Sequence, residues 1–265
     1  MLTNELAETI VVKVGTSTLA HAGGRLNIRR VELLCKVLSD LKNADCEIVL
    51  VSSGAIGMGV GKLALKEKPT DIPTKQAAAA VGQCELMYTY DRLFTEYGHT
   101  VAQILLTGSD FTAEDRHENF NNTMSRLSSL GALPIINEND TIATEEIKVG
   151  DNDTLSALVA VSVKADLLIL LSDVDGLYSA DPRKESSAKL IERVHGIDEA
   201  LLSLAGDEGS SLGTGGMKTK LKAAKLCNEN GIDMVIANGE NPFVLYDIVA
   251  GKAGKYTRFF ADAQK

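Results

Sequence analysis

The sequence contains no tryptophan, and it has few proline and cysteine residues, 5 and 4 respectively among 265. The cysteines, at positions 35, 46, 84 and 227, are widely spaced without a C-x-x-C pair, and the histidines show no metal-ligand spacing. A disulfide framework and a cysteine or histidine metal site are therefore not expected. We interpret the thiols as reduced and mostly buried.

Long apolar runs and a basic charge balance are also absent. Runs such as residues 167–171 have the length of a strand, and none approaches the ~20 residues needed to cross a bilayer. The amino terminus lacks the basic and apolar segments of a secretory signal. A net charge of −9 argues against binding to nucleic acid, which needs a clustered basic face. We expect a cytoplasmic protein with neither a membrane nor a nucleic-acid partner.

Short β-branched runs alternate with longer helical patterns, which is typical of a mostly parallel sheet covered by helices on both faces. The patterns predict strands at residues 9–14, 47–52, 100–106, 133–137, 167–171, 234–237 and 256–260. They predict helices from Asn27 through 43, from Pro73 toward 97, from Asp151 or Asp153 through 163, over 217–230 and from Pro242. We expect one domain over residues 1–265, an αβα sandwich of three layers, with residues 178–197 as a hairpin excursion.

Polar residues cluster where predicted strands end. Such segments contain Lys13, Ser53, Asn137 and Ser172, each in or directly after a different strand. Ligands of open α/β sheets bind in the crevice at the carboxyl ends of the strands. Together with a glycine-rich loop that begins at Gly213, these segments predict that five loops converge on one cleft.

The loop that begins at Gly213 runs directly into a predicted helix, and we interpret it as a phosphate-binding turn. Glycines let backbone N–H groups approach an anion, and the helix N-terminus adds partial positive charge. Lys218 and Lys220 add full charges. The alternative is a flexible loop followed by a solvated helix face. Because G-x-x-x-x-G-K-[ST] and G-x-G-x-x-G are both absent, a nucleotide would need a different fold and hydride transfer is not expected.

Lys13 interrupts an apolar strand, where a buried lysine is costly unless it meets an anion. Snorkelling at the strand end is the alternative interpretation. Asp151, Asn152 and Asp153 precede a helix, and capping accounts for one of the three. Lysines from distant loops, an anion-binding turn and convergent Asp and Asn residues favour phosphoryl transfer, which depends on positioning and charge neutralisation. An aspartate can hold the lysines in place or engage magnesium.

Six segments, in order along nearly the whole chain, resemble the amino-acid kinases, and among them the enzymes that phosphorylate glutamate. The segments are VVKVGTS at 11–17, VSSGAI at 51–56, AAVGQ at 79–83, INEND at 136–140, VGDNDTLSAL at 149–158, and GTGGM at 213–217 with Lys220. The resemblance implies ATP-dependent phosphorylation of the γ-carboxylate of L-glutamate with Mg²⁺, the first step of proline synthesis. It also implies feedback inhibition by proline and a dimer or tetramer.

The resemblance further implies roles for individual residues. Lys13 and Lys220 would stabilise the transferred phosphoryl group, and Asp153 would orient both lysines. Glutamate-binding loops would lie mainly in residues 1–160 and nucleotide-binding loops mainly in 165–265, and no residue is assigned as a metal ligand. The implied glutamate-binding residues are Ser53, Asp140 and Asn152, and the implied ATP-binding residues are Lys13, Ser172, Asp173, Thr214, Gly215, Gly216, Met217, Lys218, Thr219 and Lys220.

Two departures from the family pattern bear on these expectations. Many members carry an additional C-terminal PUA domain, and this sequence ends at Lys265, which is consistent with a naturally short form or a truncated one. This departure leaves open how strongly proline inhibits the protein, whether the protein depends on magnesium, and how it assembles. It does not affect the expected catalytic core. Lys218 stands where the family often has serine, and we expect its side chain to face solvent.

Two alternative functions stay open at this stage. The first is another carboxylate kinase of the same fold, such as acetylglutamate kinase or aspartokinase, although residues 137–140 and 150–153 favour free glutamate. The second is a non-catalytic sensor of nucleotide and amino acid. Retention of Lys13, Asp153 and Lys220 argues against a sensor, which has no need to stabilise transition-state charge.

Overall fold

The structure, a computed structural model, describes residues 9–21, 25–143, 149, 151–182, 184–185, 187–204 and 216–261. Within these ranges the strands are β1 Thr9–Val14, β2 Glu47–Ser52, β3 Val101–Leu106, β4 Leu133–Glu138, β5 Leu167–Ser172, β6 Arg193–His195, β7 Asp233–Asn238 and β8 Tyr256–Phe260. The helices are α1 Thr16–Leu19, α2 Ile28–Asn43, α3 Ala55–Lys62, α4 Ile72–Thr95, α5 Ser109–Thr112, α6 Glu114–Ser129, α7 Asn152–Ser162, α8 Glu199–Leu204, α9 Met217–Glu229 and α10 Val244–Val249.

All the described strands belong to one sheet, in the order β3-β4-β2-β1-β5-β7-β8-β6. The strands from β3 to β7 run parallel, β8 pairs antiparallel with β7, and β6 pairs parallel with β8. The first strand therefore lies in the middle of the sheet, with β2 and β4 on one side and β5 and β7 on the other. This order brings the carboxyl ends of these five strands to a single edge.

Alternation along β1 divides the core between the two faces of the sheet. Ile10, Val12 and Val14 are fully buried against α2, α4 and α10. Val11 points to the opposite face, which α6, α7 and α9 cover. Because side chains alternate along a strand, Lys13 shares the face of Val11 and points toward α7 and α9. The predicted αβα sandwich with a mostly parallel sheet is confirmed.

Side-chain caps fix the starts of three helices, α2, α4 and α7. Asn27 accepts a hydrogen bond from the Arg30 N–H at 3.3 Å, and Asp151 accepts one from the Thr154 N–H at 2.8 Å. Asp71 caps α4 in the same way, so that Pro73 lies inside the first turn. Each cap satisfies a backbone donor that the helix itself leaves unpaired.

Helices α3 and α4 pack backbone to backbone through glycines. A Cβ atom on Gly82 would lie 1.8 Å from the Ala55 carbonyl oxygen, and one on Gly59 would lie 1.8 Å from the Ala78 carbonyl oxygen. No side chain fits at either place, so both positions require glycine. This contact seats α3, which begins directly after the polar end of β2, on the long helix α4.

Two sequence-based details differ from the structure. Residues 178–190 contain the predicted hairpin contact, an antiparallel bridge between Tyr178 and Leu190, but the chain then continues into the unpredicted edge strand β6. The last helix begins at Val244, because Pro242 lies in the preceding turn. The cysteines agree with the prediction: all four are unpaired, and Cys35, Cys46 and Cys227 are buried while Cys84 is exposed. No described helix is long and apolar enough to span a membrane.

Candidate active site

Two lysines from distant parts of the chain meet one buried aspartate. Lys13 Nζ lies 2.6 Å from Asp153 Oδ1, and Lys220 Nζ lies 3.0 Å from Asp153 Oδ2. The Asp153 side chain is 1% exposed, while the lysine side chains are 11% and 8% exposed. The three groups together carry one net positive charge in a nearly dry environment. Such an arrangement is costly without further compensation, and an anionic ligand would supply that compensation.

The electrostatics of this cluster keep Asp153 ionised. Burial alone would raise the pKa of its carboxyl, but the charges of Lys13 and Lys220, with their hydrogen bonds, outweigh burial and hold the pKa well below the usual range. Asp153 also lies in the first turn of α7, where the helix dipole favours a negative charge. A carboxyl so difficult to protonate suits an orienting role rather than proton transfer.

Thr219 adds a third donor to the same carboxylate. Its Oγ1 lies 2.9 Å from Asp153 Oδ2 and 2.8 Å from the Gly216 carbonyl oxygen. A hydroxyl has one proton, so it donates to one of these oxygens at a time, and the charged carboxylate is the stronger acceptor. The sequence singled out Thr219 within a nucleotide-binding segment, whereas the structure places its side chain on Asp153.

The three polar residues at the start of α7 point to three different groups. Asp151 caps the helix, and Asp153 holds the two lysines. Asn152 turns to the other side, where its Nδ2 donates to Ser53 Oγ at 2.7 Å and to Asn137 Oδ1 at 3.0 Å. These separate contacts explain why capping alone could not account for three such residues in succession.

Asn152, Ser53 and Asn137 form an amide cluster at the ends of β2 and β4. Asp140 follows β4 and is half-buried, in the turn that succeeds this strand. The cluster is therefore next to Asp153, on the side of β1 where β2 and β4 lie. Asn137 was not assigned a role by the sequence, although it lies in a segment that carried the resemblance.

A second polar group lies at the ends of β5 and β7, on the other side of β1. Ser172 Oγ donates to Asp173 Oδ1 at 3.1 Å, and the exposed Asp173 follows β5. Asn238, at the end of β7, donates through Nδ2 to Asp175 Oδ1 at 3.0 Å. Sequence reasoning missed Asn238 because a single Asn at a strand end is a common turn former.

The glycine-rich segment is described from Gly216 onward, and Gly213, Thr214 and Gly215 lie outside the described residues. Gly216 precedes α9 in extended conformation and supplies no side-chain cap for the first turn of the helix. Met217 is half-buried against the core beneath α7 and α9. Lys218 is exposed, as expected, and Lys220 points inward. Lys218 on α9 therefore lies at the surface, whereas Lys220 on the same helix is buried and contacts Asp153.

A protein-built metal site is not found among the residues that the structure describes, where no group of three or more His, Cys, Asp or Glu residues could hold an ion. The strongest charges at the site are instead two ammonium groups and one carboxylate. Ammonium groups form strong charge-assisted hydrogen bonds with anionic oxygens.

Comparison with known proteins shows that the chain is similar to kinases. The model of the family described as "Amino acid kinase family" matches residues 8–238. Glutamate 5-kinase of Clostridium tetani is 55% identical over 246 residues, which cover 93% of this chain and 92% of that enzyme. Glutamate 5-kinase of Clostridium acetobutylicum is 54% identical over 240 residues, which cover 91% and 90%. The match to glutamate 5-kinase of Caldanaerobacter subterraneus, at 53% identity, covers 92% of this chain and 65% of that longer enzyme.

Solved structures share the fold at low identity. Carbamate kinase from Giardia lamblia bound to AMP-PNP is similar with a TM-score of 0.67 at 16% identity, covering 97% of this chain and 99% of that one. UMP kinase from Ureaplasma parvum is similar with a TM-score of 0.66 at 16% identity, covering 96% and 99%. These two likenesses establish the architecture alone.

Proposed function

The chain belongs to the amino acid kinase family, and from that premise we propose that it transfers the γ-phosphoryl group of ATP to the side-chain carboxylate of L-glutamate. The products are L-glutamyl 5-phosphate and ADP. The observation that carries the proposal is the bridge of Lys13 and Lys220 through Asp153, which lies between the amide cluster and the polar group at β5 and β7. The identity of 52% or more to enzymes named glutamate 5-kinase supports glutamate as the acceptor.

The chemistry needs little covalent help from the protein. A γ-carboxylate oxygen of glutamate attacks the γ-phosphorus of ATP, and the bond from that phosphorus to the β–γ bridging oxygen breaks as ADP leaves. Because a glutamate side chain with a pKa of about 4.3 is already ionised at neutral pH, the attack requires no general base. The lysines neutralise charge on the phosphoryl oxygens, and Asp153 keeps both ammonium groups in position before ATP arrives.

In the proposed arrangement, the two substrates bind on opposite halves of the sheet. Ser53, Asp140 and Asn152 would bind glutamate beside β2 and β4, with the Asp140 carboxylate meeting the amino group. Ser172, Asp173 and residues 214–220 would bind ATP beside β5 and α9. Lys13, in the middle strand, would lie where the two substrates meet. This placement supports in-line transfer between them.

We expect Mg²⁺ to bind at this site together with ATP. Mg²⁺ is commonly held by substrate phosphates, waters and one or two carboxylates rather than by a protein cage. The ion would be held by the ATP phosphates, where it would neutralise their charge.

Regulation and assembly complete the proposal. We infer from the family resemblance that proline inhibits the enzyme, that it assembles as a dimer or tetramer, and that it works in the cytoplasm. Proline titration of the initial rate tests the inhibition, and light scattering tests the assembly. Both remain predictions.

The proposed reaction is tested by ADP release from Mg-ATP with glutamate, N-acetylglutamate and aspartate in parallel. We expect ADP release with glutamate alone. Activity with N-acetylglutamate or aspartate alone would support a carboxylate kinase that acts on a different substrate. Inactivity with all three would favour a nucleotide and amino-acid sensor.

A further inference from the structure

Behind Asn152, three side-chain amides form a continuous chain of hydrogen bonds that ends on helix α4. Asn137 Nδ2 donates to Gln83 Oε1 at 3.0 Å, and Asn152 Nδ2 donates to Asn137 Oδ1 at 3.0 Å. Gln83 and Asn137 are buried, with 8% and 2% of their surfaces exposed. The chain thus connects a buried residue of α4 to the amide cluster where glutamate is proposed to bind.

The backbone fixes the direction of this chain. The Glu138 N–H donates to Asn137 Oδ1 at 2.9 Å, and a main-chain N–H has no lone pair with which to accept. If the Asn137 amide were turned over, its NH₂ group would face this N–H and the NH₂ group of Asn152. Asn137 Nδ2 therefore has to face Gln83, and Gln83 has to present its oxygen.

The same constraint decides what Asn152 offers to a ligand. Its Nδ2 has two protons, and the short contacts to Ser53 Oγ and Asn137 Oδ1 use both. Only the Asn152 Oδ1 acceptor is left for a bound molecule. Ser53, whose hydroxyl oxygen already accepts, is left to donate its proton. An acceptor beside a donor matches the ammonium and carboxylate groups of a free amino acid.

Glutamine at position 83 has a structural cost. Among the described residues, the buried Gln83 Nε2 is a donor without a hydrogen-bond partner. Unpaired buried donors are destabilising, and methionine would fill the same space without one. The benefit that offsets this cost has to come from the other end of the amide, the oxygen that accepts from Asn137.

We propose that Gln83 is a positioning residue for the amino-acid site. Its Oε1 holds the Asn137 amide in one orientation, and Asn137 in turn holds Asn152 so that Oδ1 faces the substrate's ammonium group. The inference rests on the proposed function and deepens it, because it adds to Asp140 a second group that recognises the free amino group, held by an amide chain that begins outside the substrate-contacting residues.

Steady-state kinetics of Gln83→Met and Gln83→Glu test the proposal, with folding checked by thermal melting. Gln83→Met removes the oxygen, so the glutamate KM should rise about tenfold, the usual effect of one lost hydrogen bond, while the ATP KM stays within about twofold. Gln83→Glu keeps an oxygen toward Asn137 and removes the unpaired donor. Its glutamate KM should stay within about threefold of the parent value.

Gln76→Met is the matched control, because Gln76 lies two turns earlier on α4, away from the amide chain, and donates to the Ala143 carbonyl at 3.4 Å. Its kinetics should match those of the parent. A glutamate KM for Gln83→Met within about twofold of the parent value would overturn the inference, as would equal effects of Met and Glu. If Gln83→Met does not melt cooperatively, Gln83→Glu decides, since a tenfold rise there would mean that the oxygen is not what matters. A parent protein inactive with glutamate would instead overturn the proposed function and this inference with it.

Discussion

Lys13 Nζ lies 2.6 Å from Asp153 Oδ1, although 140 positions separate the two residues in the sequence. The contact joins the middle strand of the sheet to the first turn of α7, and Lys220 completes it from α9. The two lysines are thus held in place before any substrate binds. In the proposed mechanism, this preorganisation is the main contribution of the protein to phosphoryl transfer.

Lys220→Ala should lower kcat by roughly a hundredfold to a thousandfold, comparable to removing one preorganised donor from a site of developing charge. Lys222→Ala is the matched control, because Lys222 is an exposed lysine on the same helix. The coupled ADP assay at saturating substrates measures both. A Lys220→Ala kcat within about threefold of the parent value would remove Lys220 from the mechanism.

Asp153→Asn should destabilise the fold, because it leaves two buried ammonium groups uncompensated. We expect a loss of about 3–5 kcal/mol in the free energy of unfolding at pH 7, measured by urea denaturation. Asp151→Asn makes the same charge change two residues away and keeps a good helix cap, so it should cost under about 0.5 kcal/mol. Equal losses in the two variants would contradict the ionic account.

The lowered pKa of Asp153 determines how the stability difference between the parent and Asp153→Asn depends on pH. A carboxyl whose pKa is lower in the folded state stabilises the fold fully above its unfolded pKa of about 3.9, and loses this contribution as the pH falls toward the folded pKa. The stability gap between the parent and Asp153→Asn should therefore be constant from pH 7 to about pH 5 and narrow below about pH 4. A gap that narrows near neutral pH would contradict a lowered pKa.

Thr219 offers a test of whether its hydroxyl serves Asp153 or the nucleotide. Thr219→Val removes the hydroxyl at nearly constant volume, and it should lower kcat by about tenfold with little change in the ATP KM. Thr219→Ser retains the donor and should restore kcat to within about threefold. A higher ATP KM with unchanged kcat in the valine variant would instead assign the hydroxyl to ATP.

The glycines of α3 should respond in opposite ways to alanine. At Gly59 a Cβ atom would overlap the Ala78 carbonyl, so Gly59→Ala should destabilise by about 3 kcal/mol or more. At Gly57 the nearest atom to a Cβ would be the Thr16 methyl at 3.5 Å, an ordinary contact, so Gly57→Ala should stabilise by up to about 1 kcal/mol through helix propensity. Urea denaturation of both variants measures the contrast.

Much of this architecture could be predicted from sequence, because its central strands are apolar runs bounded by polar residues. Strand β6, Arg193–His195, could not, since it has three residues of which only Val194 is buried. Its pairing with β8 is decided by tertiary contact rather than by local pattern. Helix α6 was not predicted either, because it is mostly polar and buries only Phe120 and Met124.

The meeting of Lys13, Asp153 and Lys220 is expected from the family resemblance; the rule that ligands bind at the carboxyl ends of parallel strands accounts only for Lys13, because Asp153 and Lys220 lie in the first turns of α7 and α9. The partners of Thr219 and Gln83 could not be predicted from the sequence. A threonine in a helical segment and a glutamine in an alanine-rich helix look like surface residues until the fold shows what each hydroxyl or amide faces. Donor and acceptor assignments of this kind depend on contacts between residues far apart in the chain.

The most direct test of the account is to trap the acyl phosphate with hydroxylamine during turnover of Mg-ATP and L-glutamate, and to identify the product by mass spectrometry. The account predicts a γ-glutamyl hydroxamate that forms in step with ADP and that is strongly reduced in Lys220→Ala. ADP release without hydroxamate, or a hydroxamate at the α-carboxyl group, would contradict phosphoryl transfer to the side-chain carboxylate.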